Sequence, residues 1–362
     1  MLFGDGGRPL LLPVAEQAVQ ARCLAYFIPG GVKALYARAL LAANAALPRL
    51  RVLPEVRTES GLHGFLSRQV TPGRPVYIAA RMGPAGPSPE TTAVLVSAEG
   101  EGLVRGKIGL TPAADRKISE EAAWLRELEA ARELENQIPR LLAEEAAPNG
   151  RRYLATTLAP DSTGSRDFTA AHLAFLSALG RVRRDVMSFA SSPCGEAIES
   201  MLEGAGPYFK PAERSALHSA LADCRLLLAD WMGPFVAGHG DFAPWSIRVL
   251  HDRIFVSDWQ HARSGTNPLA DAIHFRVMPR AMSRRPPGPE FLVDVLRYAR
   301  RAADLLYPEF TWRTRAISGL ALAYLLDVLL RATPARSAAA PVRAAMAGYL
   351  RLIEHRATWI AT

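Results

Sequence analysis

The chain predicts an α+β molecule of two lobes: a small antiparallel-sheet lobe with one helix, then a larger and mainly helical lobe. Three observations predict it. Strand-like runs gather between residues 71 and 158. From residue 167 onward, the pattern is mostly one of apolar residues at helical spacing. Inside that helical half stands one apolar hairpin, residues 245–258, with its turn at His251-Asp252-Arg253.

Taken in order, residues 1–70 read as a helical extension. Within it, 32–47 repeat apolar residues at helical spacing with Lys33 and Arg38 interspersed. Such a helix either packs on its own domain or lies as a basic amphipathic surface against a membrane or partner. Strands are expected at 76–80, at 92–96 and at 103–110, the last two joined by a tight turn at Glu99-Gly100-Glu101-Gly102. A helix is expected over 117–143, with its apolar stripe through Ile118, Ala122, Leu125 and Leu128. Another strand, 153–158, ends the small lobe, and Pro160 breaks it. Helices are then expected over 167–189, 211–232, 289–306, 311–332 and 340–356. The domain reading is an extension over 1–70, a nucleotide-binding lobe over 71–158 and a helical lobe over 159–362.

Composition bounds the partners without choosing one. The 362 residues are 49% apolar and 22% charged, enough for a core in each lobe. The net charge is +8, but only four of the 43 basic residues are lysines, Lys33, Lys107, Lys117 and Lys210. The arginines are spread along the chain with no basic–aromatic motif, which argues against nucleic acid. The basic balance favours anionic partners such as nucleotides, phosphates or an acidic membrane surface. Cys23, Cys194 and Cys224 are scattered, odd in number and without metal spacing, as expected of buried thiols in a reducing compartment. No basic region precedes an apolar core at the N-terminus. The longest apolar run, 316–325, is short of a membrane span and is followed by Asp327. The expectation is a soluble cytoplasmic protein with no transmembrane segment.

The chemistry concentrates in His239-Gly240-Asp241-Phe242-Ala243-Pro244-Trp245-Ser246 and in the strand that ends near Asp258-Trp259. Two carboxylates at the edges of one short hairpin can converge on a point. Phosphoryl transfer from ATP needs a carboxylate to hold the acceptor hydroxyl, oxygen ligands to hold Mg²⁺ on the phosphates, a cation on the phosphates and a cover against water. Asp241 is the candidate base. Asp258 is the candidate Mg²⁺ ligand, since Mg²⁺ is held by one or two carboxylates together with phosphates. Ser246 offers a second oxygen.

His239-Gly240-Asp241, the residue five after Asp241, Asp258-Trp259 and Pro268-Leu269-Ala270-Asp271 together resemble the aminoglycoside phosphotransferase/choline kinase family. These proteins have a protein-kinase-like fold. The resemblance covers roughly residues 75–280. It implies Asp241 as catalytic base, Asp258 as the main Mg²⁺ ligand, and His239 and Asp271 as braces of the catalytic loop. It assigns Lys107, in the third strand, to the α- and β-phosphates, and an acid on the next helix as its partner. Glu120 and Glu121 compete for that place. Glu121 lies four and seven residues before Leu125 and Leu128, on the inward stripe, whereas Glu120 is about 100° away. Glu121 is therefore the expected partner. The loop 83–87, with Gly83 and Gly86, takes the place of the phosphate cover. Thr156 and Leu158 fall where the interlobe strand reads the adenine edge.

One position departs from the family. Ser246 stands where these proteins carry asparagine, and its side chain is shorter, with a hydroxyl in place of a carbonyl. Two functions follow. The first is an ATP- and Mg²⁺-dependent phosphotransferase acting on a hydroxyl of a small molecule, a sugar, an aminoglycoside-like compound or a related alcohol. The second is a catalytically weak pseudokinase that serves as a nucleotide-binding or scaffold module. For the acceptor, Glu196, Glu199 and Asp230 would favour a cation, and Arg276, Arg280, Arg284 and Arg285 an anion.

Overall fold

The computed structural model describes residues 2–3, 9–13, 15–27, 31–46, 61–70, 75–83, 88–147, 150–160, 164, 167–283, 287–333 and 340–360. The chain divides into two compact units, 1–126 with 139–158, and 127–138 with 159–362. The α+β class is as expected: an antiparallel sheet dominates the first unit and helices dominate the second.

In the first unit the elements are β1 (Leu2–Phe3), β2 (Pro9–Leu11), α1 (Gln17–Phe27), α2 (Gly31–Ala46), α3 (Gly61–Ser67), β3 (Val76–Met82), β4 (Glu90–Ser97), β5 (Gly102–Gly109), α4 (Pro112–Leu128), β6 (Leu141–Ala146) and β7 (Arg152–Thr156). The strands form one seven-stranded sheet in the order β1-β2-β3-β4-β5-β7-β6. Every pairing in it is antiparallel.

The run Ala93-Val94-Leu95-Val96 in β4 is apolar without alternation because both faces of the strand are covered. Val94 and Val96 join Leu10, Cys23, Leu24 and Phe27 on one side. Ala93 and Leu95 join Phe65, Leu66, Val104 and Tyr153 on the other. Successive side chains of a strand point to opposite faces, so each cluster draws on alternate residues of the run.

That packing changes the reading of residues 1–70. Their described segments contribute two strands to the sheet, and helices whose buried side chains join its two core clusters. In α2, which takes up 32–46 of the expected 32–47 helix (Leu47 lies outside the described residues), Ala37 and Leu41 are buried in the cluster with α1, while Leu35 and Tyr36 remain exposed.

The helix expected over 117–143 is instead α4, shifted toward the N-terminus. Pro112 sits at its first position, where a missing N–H costs nothing. The Thr111 hydroxyl accepts from the Ala114 N–H (3.3 Å). After Leu128 the chain turns through a short 3₁₀ segment, Arg132–Leu134, and through Asn136, which has φ of 61°. Pro139 bars a helical continuation, and β6 follows.

In the second unit the elements are α5 (Ala170–Val182), β8 (Arg184–Ser188), α6 (Pro193–Gly204), α7 (Pro211–Leu227), β9 (Met232–Gly238), β10 (Ile247–Leu250), β11 (Arg253–Val256), β12 (Arg263–Thr266), α8 (Ala270–Ala281), α9 (Pro289–Leu306), α10 (Thr314–Ala332) and α11 (Ala340–Glu354). The expected hairpin is β10–β11. A second sheet, β12-β9-β8, was not anticipated. Its strand β8 takes the end of the helix expected over 167–189, and β9 begins at Met232, five residues after α7 ends.

The apolar run at 316–325 lies inside α10, whose residues are buried from Ala316 to Asp327. A helix apolar all round belongs in the middle of a core, and α10 packs against α6, α7, α8, α9 and α11. Among the described residues no helix is long and apolar enough to cross a membrane. All three cysteines are buried and free. Burial pushes the Cys23 thiol up to about 11 and the Cys194 thiol up to about 12.

Candidate functional site

In the first unit, Lys107 and Glu121 form a sealed pair. β5 carries Lys107 opposite Leu154 of β7, and α4 lays Ile118 and Ala122 against that leucine. Glu121 stands next to Ala122 on the same inward side. Lys107 Nζ donates to Glu121 Oε2 at 2.6 Å. The two residues are 2% and 3% exposed. Glu90 at the start of β4 has Oε1 3.9 Å from Nζ, an acid the sequence reading missed. A buried charge needs a partner, and here a lysine has two carboxylates.

Gly83 closes the end of β3. Its N–H donates to the Glu90 carbonyl at 2.6 Å, and a Cβ on it would lie 2.7 Å from that oxygen. Glycine is thus required there by the close approach of backbone to backbone. Gly86 lies outside the described residues, as does the rest of the 84–87 loop. Thr156 is the last residue of β7, buried and paired with Arg105 and Leu141. Leu158, two residues on, packs against the cluster formed by α1 and β4.

In the second unit, β9 leads straight into the His239–Ser246 loop. Gly240 has φ of +78°, in the region that favours glycine, and a Cβ there would lie 2.2 Å from the His261 carbonyl oxygen. Asp271, in the first turn of α8, holds the loop by two bonds. Its Oδ2 accepts from the His239 N–H (2.7 Å) and its Oδ1 from the Gly240 N–H (3.0 Å).

The His239 ring ties the loop to the second carboxylate's segment. Nδ1 accepts from the Asp241 N–H (3.3 Å), so the ring proton sits on Nε2, which donates to the Ser257 carbonyl (3.0 Å). Ser257 precedes Asp258, and its own N–H donates to the Ser246 carbonyl (2.9 Å). Asp258 has φ of 72°, a left-handed conformation that aspartate adopts more readily than most residues other than glycine and asparagine. It turns the chain directly after β11. Trp259 anchors the far side, fully buried, with its ring 4.8 Å from that of His239.

The Asp241 side chain is 26% exposed. Both its oxygens are engaged. Oδ1 lies 3.1 Å from His274 Nε2, and Oδ2 accepts from the Trp245 indole N–H at 3.2 Å. Burial would raise its pKa. The hydrogen bond from His274 and the nearby His274, His261 and His239 rings outweigh that and hold it below the usual carboxylate value. Asp241 is therefore ionised at neutral pH and can accept a proton.

Ser246 is 1% exposed. Its N–H donates to the Ala243 carbonyl (2.9 Å), but among the described residues its Oγ has no hydrogen-bond partner. A buried hydroxyl without a partner costs about 1–3 kcal/mol. Arg248 closes the turn by donating to the carbonyls of Trp245 and Ile247. The hard oxygens of Asp258 and Ser246 are of the kind Mg²⁺ accepts alongside phosphate. Among the described residues no three His, Cys, Asp or Glu side chains gather into a metal cage.

Sequence reasoning missed His274 and Trp245. The first had a signal: it follows Asp271 by three residues on one helix, and such residues share a face. The second had only its place beside Ser246. Of the acids considered for the acceptor, Glu199 pairs with Arg225 and Asp230 with Arg315. Arg276 stacks over the Tyr298 ring at 4.7 Å. Arg284 and Arg285 lie outside the described residues.

The pattern describing the phosphotransferase enzyme family matches residues 93–316, more than half of the chain. Among solved structures, a thermostable mutant of the aminoglycoside phosphotransferase APH(4)-Ia, in complex with AMP-PNP and hygromycin B, is 14% identical. It superposes with a TM-score of 0.51, covering 77% of this chain and 94% of that one. A choline kinase from Cryptosporidium parvum is 10% identical with a TM-score of 0.52, covering 81% of this chain and 92% of that one. At these identities the likeness is one of fold. No curated protein sequence matches the chain.

Proposed function

The chain belongs to the phosphotransferase enzyme family, and on that premise we propose that it moves the terminal phosphoryl group of ATP to a hydroxyl of a small molecule. The acceptor class is a sugar, an aminoglycoside-like compound or a related alcohol. The observation that carries this reading is Asp241: ionised, partly open to solvent, and set on a loop braced at two successive amides by Asp271.

In this reading Asp241 orients the acceptor hydroxyl and takes its proton as the oxygen bonds to the γ-phosphorus. The bond from that phosphorus to the bridging oxygen breaks, and ADP leaves. Lys107 supplies positive charge to the phosphates, and Glu121 keeps its ammonium in place. Thr156 and Leu158 take the adenine side, and Gly83 with Gly86 the phosphate cover. Asp258 and the Ser246 hydroxyl would hold Mg²⁺, which when bound neutralises charge developing on the phosphate oxygens. The orphaned Ser246 Oγ fits that assignment, because a hydroxyl with no protein partner is kept where something else satisfies it.

A thermal-shift titration with ATP and ADP, with and without Mg²⁺, tests the nucleotide site. Stabilisation that requires Mg²⁺ is expected. Phosphate transfer to a panel of hydroxyl acceptors then tests the reaction. Absence of any nucleotide-induced shift would instead favour the scaffold reading, which the serine at position 246 motivates.

A further inference from the structure

Asp241 is tied to a chain of buried polar groups that crosses three helices. His274 of α8 has Nε2 3.1 Å from Asp241 Oδ1. Its Nδ1 lies 3.1 Å from the Tyr324 hydroxyl of α10. That hydroxyl is 3.0 Å from the Tyr349 hydroxyl of α11, and Tyr349 Oη reaches Met278 Sδ, back on α8, at 3.6 Å. All three ring residues are buried.

The chemistry of the groups fixes most of the protons. An ionised carboxylate only accepts, so His274 Nε2 carries a proton and donates to Oδ1. At Nδ1 there are two arrangements. With a neutral ring, Tyr324 donates to Nδ1 and Tyr349 donates to Tyr324. With a charged ring, Nδ1 donates to Tyr324, Tyr324 to Tyr349, and Tyr349 to Met278. The hydroxyl chain reverses as a unit, and in both arrangements Nε2–H stays on Oδ1. Burial pushes both tyrosines above their ordinary pKa, so they remain hydroxyls throughout.

We propose that His274, ordered by Tyr324 and Tyr349, is a positioning residue that occupies Oδ1 of Asp241 and leaves Oδ2 as the oxygen that receives the acceptor's proton. This rests on the reading of Asp241 as the base. Oδ2 accepts from Trp245, a residue 45% exposed, so a hydroxyl arriving from solvent meets that oxygen. Oδ1 is sealed behind a histidine that cannot leave without breaking the chain. The carboxylate is thus fixed in rotation, and orientation is a large part of what a base contributes.

The test uses the full chain and Mg²⁺-ATP hydrolysis, with water as the acceptor. His274→Ala is expected to lower kcat by about 10- to 100-fold, the usual cost of losing a group that orients a reacting side chain. KM for ATP should stay within about twofold, since only ground-state binding would move it. His274→Gln keeps an N–H aimed at Oδ1 and should recover most of the loss. Tyr324→Phe should fall between wild type and His274→Ala. Unchanged kcat in His274→Ala, with Asp241→Asn inactive, would overturn the inference and leave the base intact. An active Asp241→Asn would overturn the base itself. Equal losses in the Ala and Gln variants, with KM rising in parallel, would reduce His274 to a packing residue. A ¹⁵N-histidine spectrum reads the bond independently of turnover: the His274 Nε2 resonance must shift in Asp241→Asn, and an unmoved resonance sinks the proposal.

Discussion

Two acid–base pairs carry the candidate chemistry, one in each unit, and they are built in opposite ways. Lys107–Glu121 is sealed, both residues being almost without exposure. Asp241–His274 is open at one end: the histidine is buried and the aspartate meets solvent. The sealed pair holds a charge still, because an ammonium out of water needs its carboxylates wherever the ligand is. The open pair holds a direction, because a base must face a substrate that comes and goes. The same contact, an ion pair or its hydrogen-bonded equivalent, is placed at the two depths that those tasks require.

The sharpest way to break the comparison is to disable each pair and ask what fails. Asp241→Asn keeps the shape and the Trp245 contact but cannot take a proton. Turnover should drop by about 10³-fold, roughly 4 kcal/mol of barrier. Nucleotide-induced thermal stabilisation should persist. Stopped phosphate-release assays beside thermal shift would separate the two, and a variant that lost both would mean that Asp241 is structural.

Glu121→Ala should fail in the other currency. It takes from the buried Lys107 its carboxylate at 2.6 Å, with Glu90 standing farther off at 3.9 Å. Removing one partner of a buried pair costs about 3–5 kcal/mol, read as a lowered midpoint in urea. Lys107→Met combined with Glu121→Leu should recover most of that stability while leaving phosphate binding weakened. If Glu121→Ala unfolds no more easily than wild type, the pair is less sealed than its geometry says.

The same contrast sorts what could be read from the sequence. Glu121 was legible because helical spacing places it on the stripe of Leu125 and Leu128, and that stripe faces the core. Asp271 was legible from its motif. His274 was not, although three residues separate it from Asp271, because a single histidine on an apolar face has no partner within its own sequence window. Its partners are a carboxylate 33 residues before it and a hydroxyl 50 residues after it. The sheet of the first unit shows the same limit. Strands β3, β4 and β5 declare themselves by composition, whereas β2 is three residues long and is held by its pairing with β1 and β3. Likewise α4 misplaced its end, since the stripe says which side is buried but not where Pro139 and the left-handed Asn136 stop the helix.

The pH dependence sharpens the open pair. Asp241 has its folded-state pKa below the ordinary carboxylate value, mainly because His274 overcomes the effect of burial. A depressed acid contributes stability that is present above its unfolded pKa and is lost as pH falls through the folded one. Both the rate and this share of stability should therefore hold constant down to the carboxylate range and fall only in strong acid. In His274→Ala the opposing effect of burial is released, so the acid limb of the rate profile should move toward neutrality. A limb that stays in place would mean that the other two histidines, His239 and His261, set the value.

The smallest effect concerns Ser246, and it separates folding from function at a single atom. Its Oγ is buried and has no partner among the described residues. Ser246→Ala removes the unsatisfied oxygen and leaves the Ser246 backbone bonds to Ala243 and Ser257 in place. Stability should rise by about 1 kcal/mol, a few degrees in melting temperature for a unit of this size. The Mg²⁺-dependent part of the ADP-induced shift should fall at the same time, because the hydroxyl is one of two oxygens assigned to the metal. A gain in stability with no loss of that shift would remove Ser246 from the site and leave Asp258 as the sole metal ligand proposed. Such a result would carry the comparison down to one residue. A polar atom kept in a place where it costs stability is a sign of function only if something other than the fold repays it.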